Sequence, residues 1–264
     1  MTTPVVAARE LPAYRTHRLR PRHHRFALVI PVINEGTRIQ NQLRRIAALE
    51  PAVDVIIADG GSTDGSLSSA FLEEQGVTAL LVKTGPGRLS AQLRMAFAHC
   101  LDQNYDGVIT VDGNGKDGLD AIPRFVAKLE EGFGYVQGSR YLPGGRSHNT
   151  PWDRKLGGRL IHAPLISLAA RRWFTDTTNG FRAYSSKFLL DPGTAPFRAV
   201  FDRYNLLFYL SVRASQLGYP TCEIPVERRY PEEGKTPTKI SGLRGRIDML
   251  RELFFVILGR MSPR

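Results

Sequence analysis

Ile57-Ala-Asp-Gly-Gly-Ser-Thr-Asp-Gly65 is a hydrophobic run that stops abruptly on a carboxylate and then turns. Apolar, β-branched residues ending in Asp and Gly describe a buried parallel strand that delivers an acidic side chain to the open edge of an α/β sheet. The pattern repeats downstream in Val111-Asp-Gly-Asn114 and is preceded by a third strand end, Pro31-Val-Ile-Asn-Glu35. In open α/β sheets the carboxyl ends of the strands are where ligands bind. Two acidic strand ends with such spacing suit a nucleotide, its diphosphate and a metal.

Outward from these ends the periodicity alternates. Strands are expected at Phe26 to Val32, Val53 to Ala58, Val77 to Lys83 and Gly107 to Val111. Helices are expected at Thr37 to Leu49, with Ile39, Leu43, Ile46 and Ala47 on one face, at Ser66 to Gln75, and at Leu89 to Leu101. This βαβ order with short connections calls for a mostly parallel sheet covered by helices on both faces. Beyond Asp112 the rhythm changes. A helix is expected at Ala121 to Glu130, a short strand at Tyr135 to Gly138 and a long helix at Leu156 to Trp173. A strand at Phe181 to Tyr184, a helix at Asp202 to Gln216 and a strand at Pro220 to Val226 follow.

The chain has 264 residues, 42% of them hydrophobic, enough for one sizeable α/β domain. That domain is expected over 25–240, between a basic arm over 1–24 and an amphipathic C-terminal helix over 241–264. The net charge of +11 sits mostly at these ends. The first 25 residues carry six arginines against Glu10, an excess of five. From Lys239 onward six basic residues face Asp248 and Glu252, an excess of four. Such ends fit either solvated arms or an anionic membrane surface, where each Lys or Arg contributes roughly 1 kcal/mol. Nucleic acid is not expected, since no aromatic stacking series or DNA-binding motif accompanies the arginines. Neither a secretory signal nor a run of ~18 apolar residues is present. Cys100 and Cys222, far apart and without a motif, suit reduced thiols in a cytoplasmic protein. In the final segment Leu243, Ile247, Leu250, Phe254 and Ile257 recur at helical spacing opposite Arg244, Asp248 and Arg251. This stripe can dock on the core or lie in a membrane interface.

Asp59 can accept from the edge of uracil or guanine, although Asp59 and Asp64 are also ordinary turn residues. Asp112 and Asn114 alternate on an extended segment, so both oxygens lie on the same side and can hold Mg2+ or Mn2+ beside a diphosphate. A neutral Asn makes a weaker site than a second Asp. Lys116 can supply positive charge to the leaving diphosphate instead.

The ordered motifs from Phe26 to about Lys239 resemble the family 2 glycosyltransferases of the GT-A fold, and most closely the dolichol-phosphate mannose synthase-like, polyprenyl-phosphate branch. The resemblance is carried by Pro31 to Glu35, Asp59 to Gly65, Asp112 to Asn114 and Gly138-Ser-Arg-Tyr141. It continues in Asp176-Thr-Thr-Asn-Gly-Phe-Arg182 and in Glu223-Ile-Pro-Val226 followed by Arg229 and Lys239. It implies a Rossmann-like sheet and a nucleotide pocket lined by Pro31, Asn34, Glu35 and Asp59. It also implies Asp112 and Asn114 at metal and diphosphate, and Arg140, Arg182 and Arg229 near the acceptor phosphate or the diphosphate. The branch commonly has acidic residues at the positions of Gly60 and Asn114 and a Gln at that of Lys116.

The implied reaction is inverting transfer from a UDP- or GDP-sugar to a polyprenyl phosphate at the cytosolic membrane face, with peripheral lipid contact. A phosphate monoester, its second pKa near ~6, needs no general base, whereas a hydroxyl acceptor does. Asp176 is the expected base for a hydroxyl. Two competing readings are a soluble transferase acting on a hydroxyl of a small molecule or polysaccharide, and a binding module without activity.

Overall fold

The structure, a computed structural model, describes residues 9–231 and 242–263, with side chains in the last helix described from residue 247. Lys239 and the side chains of Leu243 and Arg244 lie outside the described residues. In chain order the elements begin β1 (Tyr14–Arg18), β2 (Phe26–Val32), α1 (Thr37–Leu49), β3 (Asp54–Asp59), α2 (Ser69–Glu74), β4 (Val77–Lys83), α3 (Leu89–Asp102) and β5 (Gly107–Thr110). They continue with α4 (Ile122–Glu130), β6 (Tyr135–Ser139), β7 (Arg146–His148), α5 (Trp152–Gly157), a π-turn over Gly158–His162 and α6 (Ala163–Ala170). The last are β8 (Arg182–Ser185), α7 (Ser186–Leu190), α8 (Asn205–Gln216), β9 (Thr221–Pro225), β10 (Glu227–Arg229) and α9 (Gly242–Ile257).

Eight strands form one sheet in the order β1-β4-β3-β2-β5-β8-β6-β9. β2, β3, β4 and β5 are mutually parallel, as are β6 and β9, while β8 runs antiparallel between β5 and β6. Successive side chains point to opposite faces, and β2 and β3 are buried on both. Ala27, Val29, Ile56 and Ala58 face a cluster with Phe97, Tyr184, Phe188 and Leu210, under α3 and α8. Leu28, Ile30 and Ile57 face Ile39, Leu43, Phe125 and Phe181, under α1 and α4. The continuous apolar runs and the helical stripes therefore come from a sheet covered on both sides, as expected.

Three expectations are corrected. The described part of the N-terminal segment is not an aperiodic arm: β1 pairs antiparallel with β4, Thr16 opposite Leu81, and covers an edge that would otherwise expose unpaired backbone groups. Neighbouring residues tie down as well, the His23 and His24 amides donating to the buried Asp54 carboxylate. Second, the helix expected over Leu156 to Trp173 is assembled from α5, the π-turn and α6. Gly157 and Gly158 are weak helix formers, and Pro164 removes one amide donor, so the ladder widens there. Third, β7 and β10 form a small parallel ribbon, Arg228 opposite Ser147, with no apolar alternation to signal it. α9 buries Leu253 and Val256 against the core and leaves Ile247 and Phe254 at 55% and 50% exposure. No described helix is long and apolar enough to cross a membrane.

The ends of β2 and β3 are pinned from below by Gln92 of α3. Its buried amide donates to the carbonyls of Val32 and Ala58, both at 2.9 Å. Gln92→Leu removes this donor from both carbonyls, leaving Val32 with the Gly60 amide, and is expected to cost about 1–3 kcal/mol. Urea denaturation of the two proteins under identical conditions checks this; equal stability would mean that the strand ends do not depend on Gln92.

Candidate active site

Because β2, β3 and β5 are parallel, their carboxyl ends open on one edge, and the antiparallel β8 starts from that same edge. The first two loops are laced together. Asn34, in a left-handed conformation (φ 49°), donates its amide to Ser62 Oγ at 3.0 Å and accepts from the Thr63 amide at 2.8 Å. The Gly36 amide donates to Asp64 at 2.8 Å. Asp59, at the end of β3, accepts from the Ser62 amide at 2.9 Å and from its hydroxyl at 2.6 Å. Its turn-forming role is therefore real, and through Ser62 it ties the loop after β3 to Asn34 in the loop after β2. Glu35 pairs with Arg38 one helical turn away.

The third loop is clamped by Gln42 of α1. Its side chain donates to the Asp112 carbonyl at 3.0 Å and accepts from the Gly115 amide at 2.7 Å. Asp112 stands partly exposed, and a single buried guanidinium holds it: Arg228 donates to Asp112 Oδ2 at 2.7 Å and to Asp117 at 2.7 and 2.8 Å. Burial favours the neutral form of Asp112, but the Arg228 charge outweighs it and holds the carboxyl below its ordinary range. Asp117 lies deeper, and there burial prevails and pushes its carboxyl up. Arg228 itself would be pushed down by burial; Asp117 and Asp112 together raise it well above its usual value. Lys116 lies over the Tyr230 ring at 4.7 Å, its ammonium pushed down by burial and by Arg228. Space is tight opposite Asp112, since a Cβ at Gly180 would stand 2.5 Å from Asp112 Oδ1.

A second buried pair joins the end of β6 to the loop before β8. Arg140 donates to Asp176 Oδ2 at 2.7 Å and Oδ1 at 2.9 Å, and to Thr178 Oγ1 at 2.7 Å. Burial would raise the Asp176 carboxyl, but Arg140 outweighs it and the net direction is down. Asp176 is thus an orienting partner of Arg140 and a poor base. Glu223 accepts from the Thr175 and Asp176 amides at 2.8 and 3.1 Å, which fixes this loop to β9.

Two arginines named by the resemblance are engaged by neighbouring protein groups. Arg182 is buried under the sheet edge and donates to the carbonyls of Thr177, Asn179 and Leu207 and to Ser211 Oγ, so its donors are spent inside the fold. Arg229 is 60% exposed and pairs with Glu227. The guanidinium that reaches the strand-end carboxylates is Arg228, its neighbour. Side chains alternate along an extended segment, so the Arg-Arg pair signals that one of the two points inward; only β10 shows which. Asp117 was likewise missed, its acidic side chain resembling a loop residue after Lys116.

Among the described residues no three or more His, Cys, Asp or Glu side chains gather as a metal site. Asp112 and Asn114 do converge, the Asn114 amide nitrogen lying 3.3 Å from Asp112 Oδ2. One carboxylate and one amide fit a Mg2+ or Mn2+ ion whose other ligands are water and substrate phosphate, provided the amide turns its oxygen inward.

Comparison with known proteins agrees with this architecture. The model of "Glycosyl transferase family 2" matches residues 27–204. Polyprenol monophosphomannose synthase of Mycolicibacterium smegmatis is 25% identical over 246 residues, covering 90% of this chain and 89% of the relative. Undecaprenyl-phosphate mannosyltransferase of Micrococcus luteus is 28% identical over 226 residues, covering 83% and 88%. Glucosyl-3-phosphoglycerate synthase of Mycobacterium tuberculosis, crystallised with Mn2+, UDP and glucosyl-3-phosphoglycerate, superposes with a TM-score of 0.64 at 18% identity, covering 89% of this chain and 79% of that one. That likeness concerns the fold. With more than half of its length under the family model and a GT-A-like sheet beneath its strand-end carboxylates, the chain belongs to glycosyltransferase family 2.

Proposed function

We propose that this glycosyltransferase moves a sugar from a UDP- or GDP-sugar to a polyprenyl phosphate, with inversion, as a peripheral protein at the cytosolic face of a membrane. The observation that carries the reading is the engagement of the carboxylates around the cleft. Asp112 is paired with Arg228 and Asp176 with Arg140, and both carboxyls are held below their ordinary range. A carboxylate whose charge is already stabilised is a weak proton acceptor. An acceptor that arrives as an anion suits such a site, and a hydroxyl does not. The names of the relatives, which specify polyprenol and undecaprenyl-phosphate chemistry, support the same acceptor class.

In this scheme Pro31, Asn34, Glu35 and Asp59 line the nucleotide pocket. Asp112 and Asn114 are the residues that would hold Mg2+ or Mn2+ against the diphosphate, where the ion supplies positive charge to the leaving group. Arg228 and Lys116 bring fixed positive charge to the same place, where charge develops as the sugar–phosphate bond breaks. Arg140, oriented by Asp176, meets the incoming phosphate from the other side of the cleft and aligns it behind the anomeric carbon.

Incubation with UDP- and GDP-sugars, Mg2+ or Mn2+ and a short polyprenyl phosphate is expected to give a glycosyl phospholipid by mass spectrometry. Transfer only to hydroxyl acceptors would overturn the proposal. Arg228→Met is expected to lower kcat by about 10²- to 10³-fold, the usual consequence of losing one electrostatic group, and steady-state kinetics on folded protein measures it. Asp176→Asn leaves Arg140 buried without a counter-charge and is expected to cost about 3–5 kcal/mol at neutral pH. Because the folded-state carboxyl is held low, its contribution is present above the unfolded pKa of about 3.9 and fades as pH falls through the folded value. Denaturation curves of wild type and variant should therefore converge below about pH 4, and curves that stay apart would show that the ion pair is not the cause.

A further inference from the structure

The segment from Trp152 to Trp173 has two unlike faces. Its inner face packs on the loop that carries Asp176, His162 Nδ1 lying 2.7 Å from Thr177 Oγ1, and at the border between the faces the exposed Arg159 stacks over the Tyr141 ring at 5.1 Å, next to Arg140. Its outer face carries Trp152, Leu160, Leu168 and Trp173 at 75%, 69%, 74% and 68% exposure, with Leu156 half exposed. Single exposed apolar residues are ordinary on a protein surface; a series on one element is not. Trp152, Leu156, Leu160 and Leu168 are separated by multiples of four residues. On a regular α-helix that spacing drifts by about 40° per step. The π-turn at Gly158–His162, with its wider turn, takes back part of the drift and keeps the row on one side.

The charge around this row has one sign. Lys155, Arg159, Arg171 and Arg172 are exposed beside it, and Asp153 is the sole acidic residue between Trp152 and Trp173. A second copy of the chain would bring the same cations against themselves across a symmetric contact. An anionic bilayer complements both properties, with cations at the headgroups, leucines at the acyl boundary and tryptophans at the interface.

We propose that the outer face of α5, the π-turn and α6 is the surface by which this protein docks on an anionic membrane. The same segment that rests on lipid then forms the wall beside Arg140, so a phosphate carried on a lipid reaches the cleft from the docked side. The assignment deepens the lipid-phosphate reading and rests on it for its purpose, but it is tested without donor or acceptor.

The test is co-sedimentation of the full chain with phosphatidylcholine vesicles, with and without phosphatidylglycerol, over a salt series. Binding to the anionic vesicles is expected, weakening as salt rises. The triple variant Trp152→Ser, Leu160→Ser, Leu168→Ser is expected to bind at least about tenfold more weakly with an unchanged thermal midpoint. Arg171→Gln with Arg172→Gln is expected to flatten the salt dependence. A triple variant that binds like wild type, or loss of binding confined to Phe254→Ser on α9 with Leu258→Ser just after it, overturns the assignment. A wild-type dimer that the triple variant dissolves, seen by analytical ultracentrifugation, overturns it in favour of a contact between copies. Vesicle binding without sugar transfer to polyprenyl phosphate would condemn the acceptor reading and leave the docking surface standing.

Discussion

Arg228 holds two carboxylates that, without it, could not share the space they occupy. Asp112 and Asp117 are both within 2.7 Å of its nitrogens, one at the cleft and one in the interior. Two negative charges that close in a region of low polarity would force one of them to take up a proton. A planar guanidinium with its donors in a fixed fork serves both, and its own burial is offset by their charge. The shape of the loop after β5 follows from this. Gln42 fixes the backbone of the loop, Arg228 fixes its side chains, and the Gly180 backbone can pass close by because no Cβ intervenes.

The Arg140–Asp176 pair does related work at the other wall. Buried ion pairs add little net stability relative to apolar packing, yet breaking one is costly. They are best understood here as geometric devices that hold a cation at a fixed place and orientation. Each guanidinium is balanced where it stands, Arg228 by two carboxylates and Arg140 by one.

Much of this was legible in the sequence. β2, α1 and β4 fall where periodicity puts them, because strands buried on both faces and a helix with one apolar stripe leave unmistakable patterns. The carboxylates at strand ends were equally plain. β1 was not, since Tyr14-Arg-Thr-His-Arg18 buries little and is a strand only because β4 lends it an edge. The break near Gly158 is a backbone accommodation to Pro164 inside a run that otherwise reads as one helix. Arg182 and Arg228 show the harder case. Both are arginines in motif-like settings, and whether a guanidinium faces a core carbonyl or a cleft is decided by tertiary neighbours such as Leu207 and Asp117, far away in sequence.

The partnership between Asp112 and Arg228 spans 116 positions. Contacts so distant along the chain must wait for the entropy of closing a large loop to be met by other contacts. During synthesis all eight strands of the main sheet emerge before β10, so the sheet can assemble with the Asp112 loop still unpaired and open to water. The site acquires its shape only when β10 emerges and lays its inward arginine beside β5. The shape of this loop is thus a late product of folding, and a chain interrupted before β10 would keep a recognisable sheet while lacking the charge that organises its edge.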